Sequence, residues 1–280
     1  MINALKDLFI GTWLERPLRS VWKLAHGRSM PKDWESRILR DDRRVQALLR
    51  EILTPTSTCI DIGAHRGLFL HSFLALAPEA QHVAVEALPR LGAWLQKRFP
   101  QVQVFRCALG NTTGVTSFFD VADAPGLSGL KPQETPIKSR AAKRIEVEIR
   151  RLDDLPLRGA PFEFVKIDVE GAEFEVFKGA TQVISRDRPI ILFEHARIHC
   201  MPYGVEPRMI HDLLHGLGYR ILTLYGAGPL DPDEFTQICA DSFASNYDLS
   251  AQTNFLACPT HKVSDLQEQC RKIAGAPSIQ

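Results

Sequence analysis

The stretch from Thr58 to Phe69, TCIDIGAHRGLF, decides the fold. Its first half sets Cys59, Ile60 and Ile62 around Asp61, a short apolar run of the kind that makes a strand buried on both faces. Its second half opens a helix. Gly63 and Gly67 stand between them, where the missing Cβ lets the chain turn sharply and lets backbone approach a ligand. Ligands of open α/β sheets bind at the carboxyl ends of the strands, so the turn predicts a small-molecule site there. The spacing is Gly-x-x-x-Gly with His65 and Arg66 inside it, which is neither the dinucleotide fingerprint nor a phosphate-cradling loop. Nicotinamide and ATP are therefore poor candidates, and a tight turn without a ligand is the competing reading.

Outward from this stretch the chain alternates. A helix is predicted from Leu68 to Ala77, a strand from His82 to Val85, a helix from Leu88 to Phe99 and a strand from Val102 to Phe105. This is the right-handed parallel crossover pattern. Glu86 closes the second strand about twenty residues past the glycine turn, where a carboxylate can accept hydrogen bonds from both hydroxyls of a ribose. Further strands are expected at Phe162–Ile167, Pro189–Phe193, Tyr219–Tyr225 and Thr253–Cys258, with a helix from Glu206 to Leu217. Between them, residues 114 to 160 read as a two-stranded insertion, Val115–Phe119 with Ile145–Ile149, carrying a mobile loop at 122–144.

The composition is that of an ordinary globular chain: 280 residues, 45% hydrophobic and 24% charged. A net charge of +1 argues against a dedicated nucleic-acid binder, and no nucleic-acid partner is expected. Six scattered cysteines form no Cys-x-x-Cys pair and no Cys/His cluster at zinc spacing, which points to a reducing compartment and to no metal. The apolar run Leu8–Leu14 is too short to span a membrane and lacks a cleavage site, so a cytoplasmic location is expected. Residues 1–53 are basic and helical in pattern, with Val45, Leu48, Leu49 and Ile52 at helical spacing. Packing on the main domain, a substrate lid, a dimer contact and a membrane-surface helix are all open uses of this segment.

Taken together, CIDIGAHRG at 59–67, VAVE at 83–86, CALG at 107–110, RLDDL at 151–155, FVKIDVEGAE at 164–173 and KGA at 178–180 resemble the FkbM family of class I S-adenosylmethionine-dependent methyltransferases. The resemblance runs from about residue 57 to 258, and KIDVEGAE is its most specific segment. It implies a Rossmann-like α/β sheet of seven strands in the order 3-2-1-4-5-7-6, the last antiparallel, spanning residues 54–260. A helical amino-terminal appendage at 1–53 and a peripheral tail at 261–280 would flank it. It also implies S-adenosyl-L-methionine as cofactor and methyl transfer to a hydroxyl of a saccharide or related secondary metabolite. Carried over by position, Gly63 and Gly67 flank the methionine part of the cofactor, Glu86 takes the ribose, Ala108 and Leu109 lie near the adenine, and Asp61 and Ala64 belong to the same cofactor site. His65 and Arg66 depart from the commoner family form, which has Asn followed by Ile or Thr.

Methyl transfer is an in-line displacement that rewards positioning and, for a hydroxyl, a general base. The candidates at the strand ends are Asp168, Glu170, Glu194 and His195: Asp168 or His195 as the base, Glu194 to orient the acceptor. Acidic side chains in a first helical turn, Glu170 and Glu173, also suit the helix dipole, and the carboxylates could alternatively hold Mg²⁺. A cofactor-binding partner subunit without turnover is the competing function, and a homo-oligomer is open.

Overall fold

The computed structural model describes residues 32–122, 125–132, 142–159, 161–244 and 253–275, so the expectations for residues 1–31 lie outside the described residues. Among the described residues, ten strands follow in chain order: β1 (Cys59–Ile62), β2 (Val83–Val85), β3 (Gln103–Phe105), β4 (Ala108–Leu109), β5 (Gly114–Asp120), β6 (Lys143–Arg150), β7 (Phe164–Ile167), β8 (Ile190–Glu194), β9 (Tyr219–Thr223) and β10 (Asn254–Pro259). Seven of them form one sheet in the order β3-β2-β1-β7-β8-β10-β9, and β10 runs antiparallel to both its neighbours. Numbered within that sheet the order is 3-2-1-4-5-7-6, as the resemblance implies.

Alternation along the strands builds two apolar layers. Ile60, Ile62, Val83, Val85, Val165, Ile167, Ile191 and Phe193 face one core, whereas Cys59, Ala84, Phe164, Leu192, Leu222 and Leu256 face the other. Helices cover both: α1 (Lys32–Ile52), α2 (Leu68–Leu76) and α3 (Pro89–Arg98) border the second core, with α4 (Glu173–Lys178), α5 (Thr181–Asp187) and α7 (Pro207–Gly216) on the first. The short α6 (Arg197–Cys200) follows β8. A helix absent from the sequence reading, α8 (Pro232–Ala244), starts on a reciprocal cap: Asp231 accepts from the amides of Asp233 and Glu234, and Glu234 accepts from that of Asp231.

Two expectations are corrected. The insertion is a three-stranded sheet, β4-β6-β5, because the CALG turn itself supplies β4 and pairs parallel to β6. The tail is not peripheral: α9 (Val263–Gly275) buries Leu266 and Cys270 in the second core beside Val45, Leu48 and Leu49 of α1. Apolar residues four apart, Leu266 and Cys270, make the face that docks it. All six cysteines are buried free thiols. Among the described residues, no helix is long and apolar enough to cross a membrane.

Candidate active site at the carboxyl edge of the sheet

A cavity of about 290 Å³ opens at the carboxyl ends of β1, β2 and β7, close to the lower end of the size range of about 300–1,000 Å³ usual for small-molecule sites. Its lining is of two kinds: apolar, with Leu88, Ala108, Phe118 and Leu130 packed in one cluster and Leu109 beside them on the lining, and charged, with Lys166 paired to Asp168 and with Glu170, Arg66 and Asp42. Glu86 also lines the cavity, at the end of β2, the strand beside β1.

The glycine turn is built differently from the simplest expectation. Gly63 has φ +76°, and a Cβ there would lie 1.8 Å from the carbonyl oxygen of Asp168. Glycine is thus required by a crossing of two protein backbones, the turn after β1 and the turn after β7. Gly67, with φ +70°, is the N-cap of α2 and abuts the Phe99 ring rather than the cavity. Glu86 fixes the same turn: one carboxylate oxygen accepts the His65 amide at 2.7 Å and the other the Leu88 amide at 2.8 Å. Burial raises its pKa, against the lowering effect of those two amides.

The sequence reading passes over Lys166, which ties the charged lining together. It sits opposite Asp61 across the β1–β7 pair, and its Nζ lies 3.6 Å from Asp61 Oδ1, 3.1 Å from Asp168 Oδ2 and 3.2 Å from the Gly63 carbonyl. Burial alone would lower the Lys166 pKa, but Asp168 and Asp61 outweigh it and keep the ammonium charged. Burial likewise lifts Asp61 to about 6. The signal was legible in principle: a lysine inside the apolar run FVKI must find a partner, and a buried aspartate one strand away supplies it.

The expected catalytic residues separate. Asp168, 35% exposed, and Glu170 line the cavity; Glu194 and His195 do not. Glu170 takes a left-handed backbone, φ +55°, uncommon for a non-glycine residue, and its carboxylate lies 3.4 Å from His199 Nδ1. The next residue must be glycine, since a Cβ on Gly171 would meet the His199 carbonyl at 2.0 Å. Burial, then Asp168 and Glu194, raise the Glu170 pKa well above the usual carboxylate range. Glu194 is pushed up to about 8 by burial and by Asp168 and Glu173. His195 is enclosed: Nδ1 is 3.7 Å from Glu173, Nε2 is 3.8 Å from Cys200 Sγ, and the ring stacks on Phe235. Of the expected cofactor residues, Gly63, Ala64, Glu86, Ala108 and Leu109 line the cavity, while Asp61 lies behind Lys166. Among the described residues no cluster of three or more His, Cys, Asp or Glu side chains forms a metal-binding set.

A roof closes over the apolar lining. The segment Pro125–Leu130 is held by a pair of backbone bonds between Phe119 and Gly129 and by Ser128 Oγ accepting the Val121 amide. The Tyr203 hydroxyl accepts the Lys131 amide at 3.1 Å and joins this roof to the segment after β8.

The arrangement can hold a nucleoside with its ring system among apolar side chains, its ribose at a carboxylate and a zwitterionic tail among charges. The family described as "Methyltransferase FkbM domain" matches residues 61–221. Methyltransferase sdnD of Sordaria araneosa is 26% identical over 216 residues, covering 65% of this chain and 80% of its own. The 2-O-methyltransferase NoeI of Sinorhizobium fredii is 28% identical over 191 residues, covering 63% and 77%. The crystal structure of Methyltransferase FkbM from Methylobacillus flagellatus superposes with a TM-score of 0.43 at 17% identity, over 73% of this chain and 44% of that one.

Proposed function

The chain belongs to the FkbM methyltransferase family, and from that premise we propose that it transfers the methyl group of S-adenosylmethionine to a hydroxyl of a saccharide or related secondary metabolite. The observation that carries this reading is the placing of Glu86 and Asp168 on one cavity, the first just after β2 and the second just after β7. When bound, the cofactor supplies an electrophilic methyl on a positive sulfonium.

The chain's own groups then divide the work. Glu86 uses one lone pair of each oxygen on the turn, which leaves each oxygen further acceptor capacity for a ribose hydroxyl. Asp168, paired with Lys166 yet reaching the cavity, accepts the proton of the acceptor hydroxyl. Glu170, which lines the cavity beside it and whose pKa is raised by burial and by Asp168, orients the acceptor. Two carboxyls in one site thus take different roles because their contacts differ: Asp168 pairs with Lys166, and Glu170 lies beside His199. Glu194 and His195 do not reach the cavity, and Glu194 lies near enough to Asp168 for that carboxylate to help raise its pKa.

The test pairs two variants. Glu86→Ala is expected to weaken S-adenosylhomocysteine binding by at least about tenfold in calorimetric titration, the loss of one charge-assisted bond. Asp168→Asn should keep that affinity and lose about 10²- to 10⁴-fold in turnover on a hydroxylated acceptor. Unchanged turnover in Asp168→Asn removes the base assignment, and absence of binding by folded wild type removes the enzyme reading.

A further inference from the structure

We propose that His199 is a positioning residue for methyl transfer, its imidazole holding the Glu170 carboxyl in the pose that orients the acceptor; this rests on the role proposed for Glu170 above. His199 lies on α6 and does not line the cavity, whereas Glu170 does. Its Nδ1 stands 3.4 Å from Glu170 Oε2, with the two side chains 22% and 19% exposed. Burial lowers the His199 pKa, so the imidazole is neutral near pH 7. A neutral ring nitrogen suits either form of its partner: as Nδ1–H it donates to a carboxylate, and as the bare nitrogen it accepts from a carboxylic acid. The pairing therefore survives a change in the protonation of Glu170.

The backbone around Glu170 shows what the imidazole adds. At φ +55° glycine would be the easier residue, so the turn carries this side chain at a conformational cost, which proteins sustain where the surroundings hold the strained residue in place. The turn itself is held without the imidazole. The Gly171 amide donates to Glu173 Oε1 at 2.9 Å, and Gly171 lies against the His199 carbonyl with no room for a Cβ. Those contacts fix the backbone and leave the Glu170 carboxyl its own rotamers, and a carboxyl that rotates holds an acceptor hydroxyl poorly in line with a methyl. His199 Nδ1 lies where it restricts that rotation. One residue of α6 thus sets both parts of the pose, the turn through its carbonyl and the carboxyl through its ring.

The test uses the full chain, S-adenosylmethionine labelled in its methyl group and a panel of methyl glycosides of hexoses and deoxyhexoses, and follows kcat and KM for the best acceptor. Wild type, H199A, H199N, H199Q, E170A and the double variant H199A/E170A are compared, with S-adenosylhomocysteine titration and thermal unfolding as controls for the cofactor site and for folding. H199A is expected to lose about five- to fiftyfold in kcat/KM for the acceptor and less than about twofold in S-adenosylhomocysteine affinity. H199N, whose amide falls at the Nδ1 position, should recover most of the loss, and H199Q, whose amide falls at the Nε2 position, should not. In the E170A background the H199A change should cost less than about twofold, because the group it positions is gone. Full activity in H199A, equal losses in the two backgrounds, or H199N no better than H199Q overturns the inference while the role of Glu170 stands. Full activity in E170A overturns that role and this inference together. Absence of transfer to every glycoside by cofactor-binding wild type overturns the saccharide reading on which both rest.

Discussion

At the scale of single residues, a few contacts decide what the site can do, and Glu194 shows how. Its carboxyl sits behind Asp168 with a pKa pushed to about 8, chiefly by burial, against about 4.3 for glutamate in an unfolded chain. A carboxyl raised on folding stabilises the protein fully below its unfolded pKa, and that contribution is lost as pH rises through the folded one. Wild-type stability should therefore fall between about pH 4 and 8 on this group's account. Glu194→Gln removes the ionisation, so the variant's melting temperature relative to wild type should be more favourable at pH 8.5 than at pH 5. For a chain of this size each 1 kcal/mol moves the midpoint by about 2–4 °C. A difference independent of pH would refute the assignment. Residues at strand ends, such as Glu86 and Asp168, were legible in the sequence because strand-turn-helix spacing fixes their depth in the fold. The enclosure of His195 was not, since Phe235 and Cys200 reach it from segments with no pattern linking them to β8.

At the scale of elements, the cavity depends on a short roof fixed at few points. The Tyr203 hydroxyl receives the Lys131 amide, and Gly129 packs against both Tyr203 and Glu170. These contacts join the roof, the Glu170 turn and the segment after β8. Tyr203→Phe deletes the acceptor and leaves the ring. Amide hydrogen exchange in residues 126–132 should then speed by about two- to tenfold, the value of one net hydrogen bond, while the β1 and β7 amides keep their rates. Unaltered exchange in the roof would show that the Phe119–Gly129 bonds suffice to hold it. The long strands and crossover helices could be read from periodicity, but β4 could not. It is two residues long, and its existence depends on pairing with β6 some forty residues away.

At the scale of the whole molecule, the second sheet face is closed by the two ends of the described chain. On α1, Arg44 donates to the carbonyls of Leu224 and Cys270 and lies 4.4 Å over the Tyr225 ring, while Val45, Leu48 and Leu49 fill the space between α2, α9 and the sheet. Asp42 on the same helix lines the cavity. We infer that this part of the basic amino-terminal segment is a structural wall of the catalytic domain, with the apolar face of Val45, Leu48 and Leu49 already occupied. The sequence showed the amphipathic spacing but not the surface that receives it, because that surface joins β9, β10 and α9, which lie far away in the chain. If α1 were a detachable appendage, a cavity cut into its face would cost the domain little. Leu49 is fully buried, so Leu49→Ala is expected to destabilise by about 2–5 kcal/mol. The control is Val115→Ala on the exposed insertion strand, where less than about 0.5 kcal/mol is expected. Denaturant titration should show one cooperative transition with a lowered midpoint for Leu49→Ala and an unchanged slope. A separate early transition confined to α1, with the remaining transition at the wild-type midpoint, would instead make the helix an independent unit and remove Asp42 from the working site.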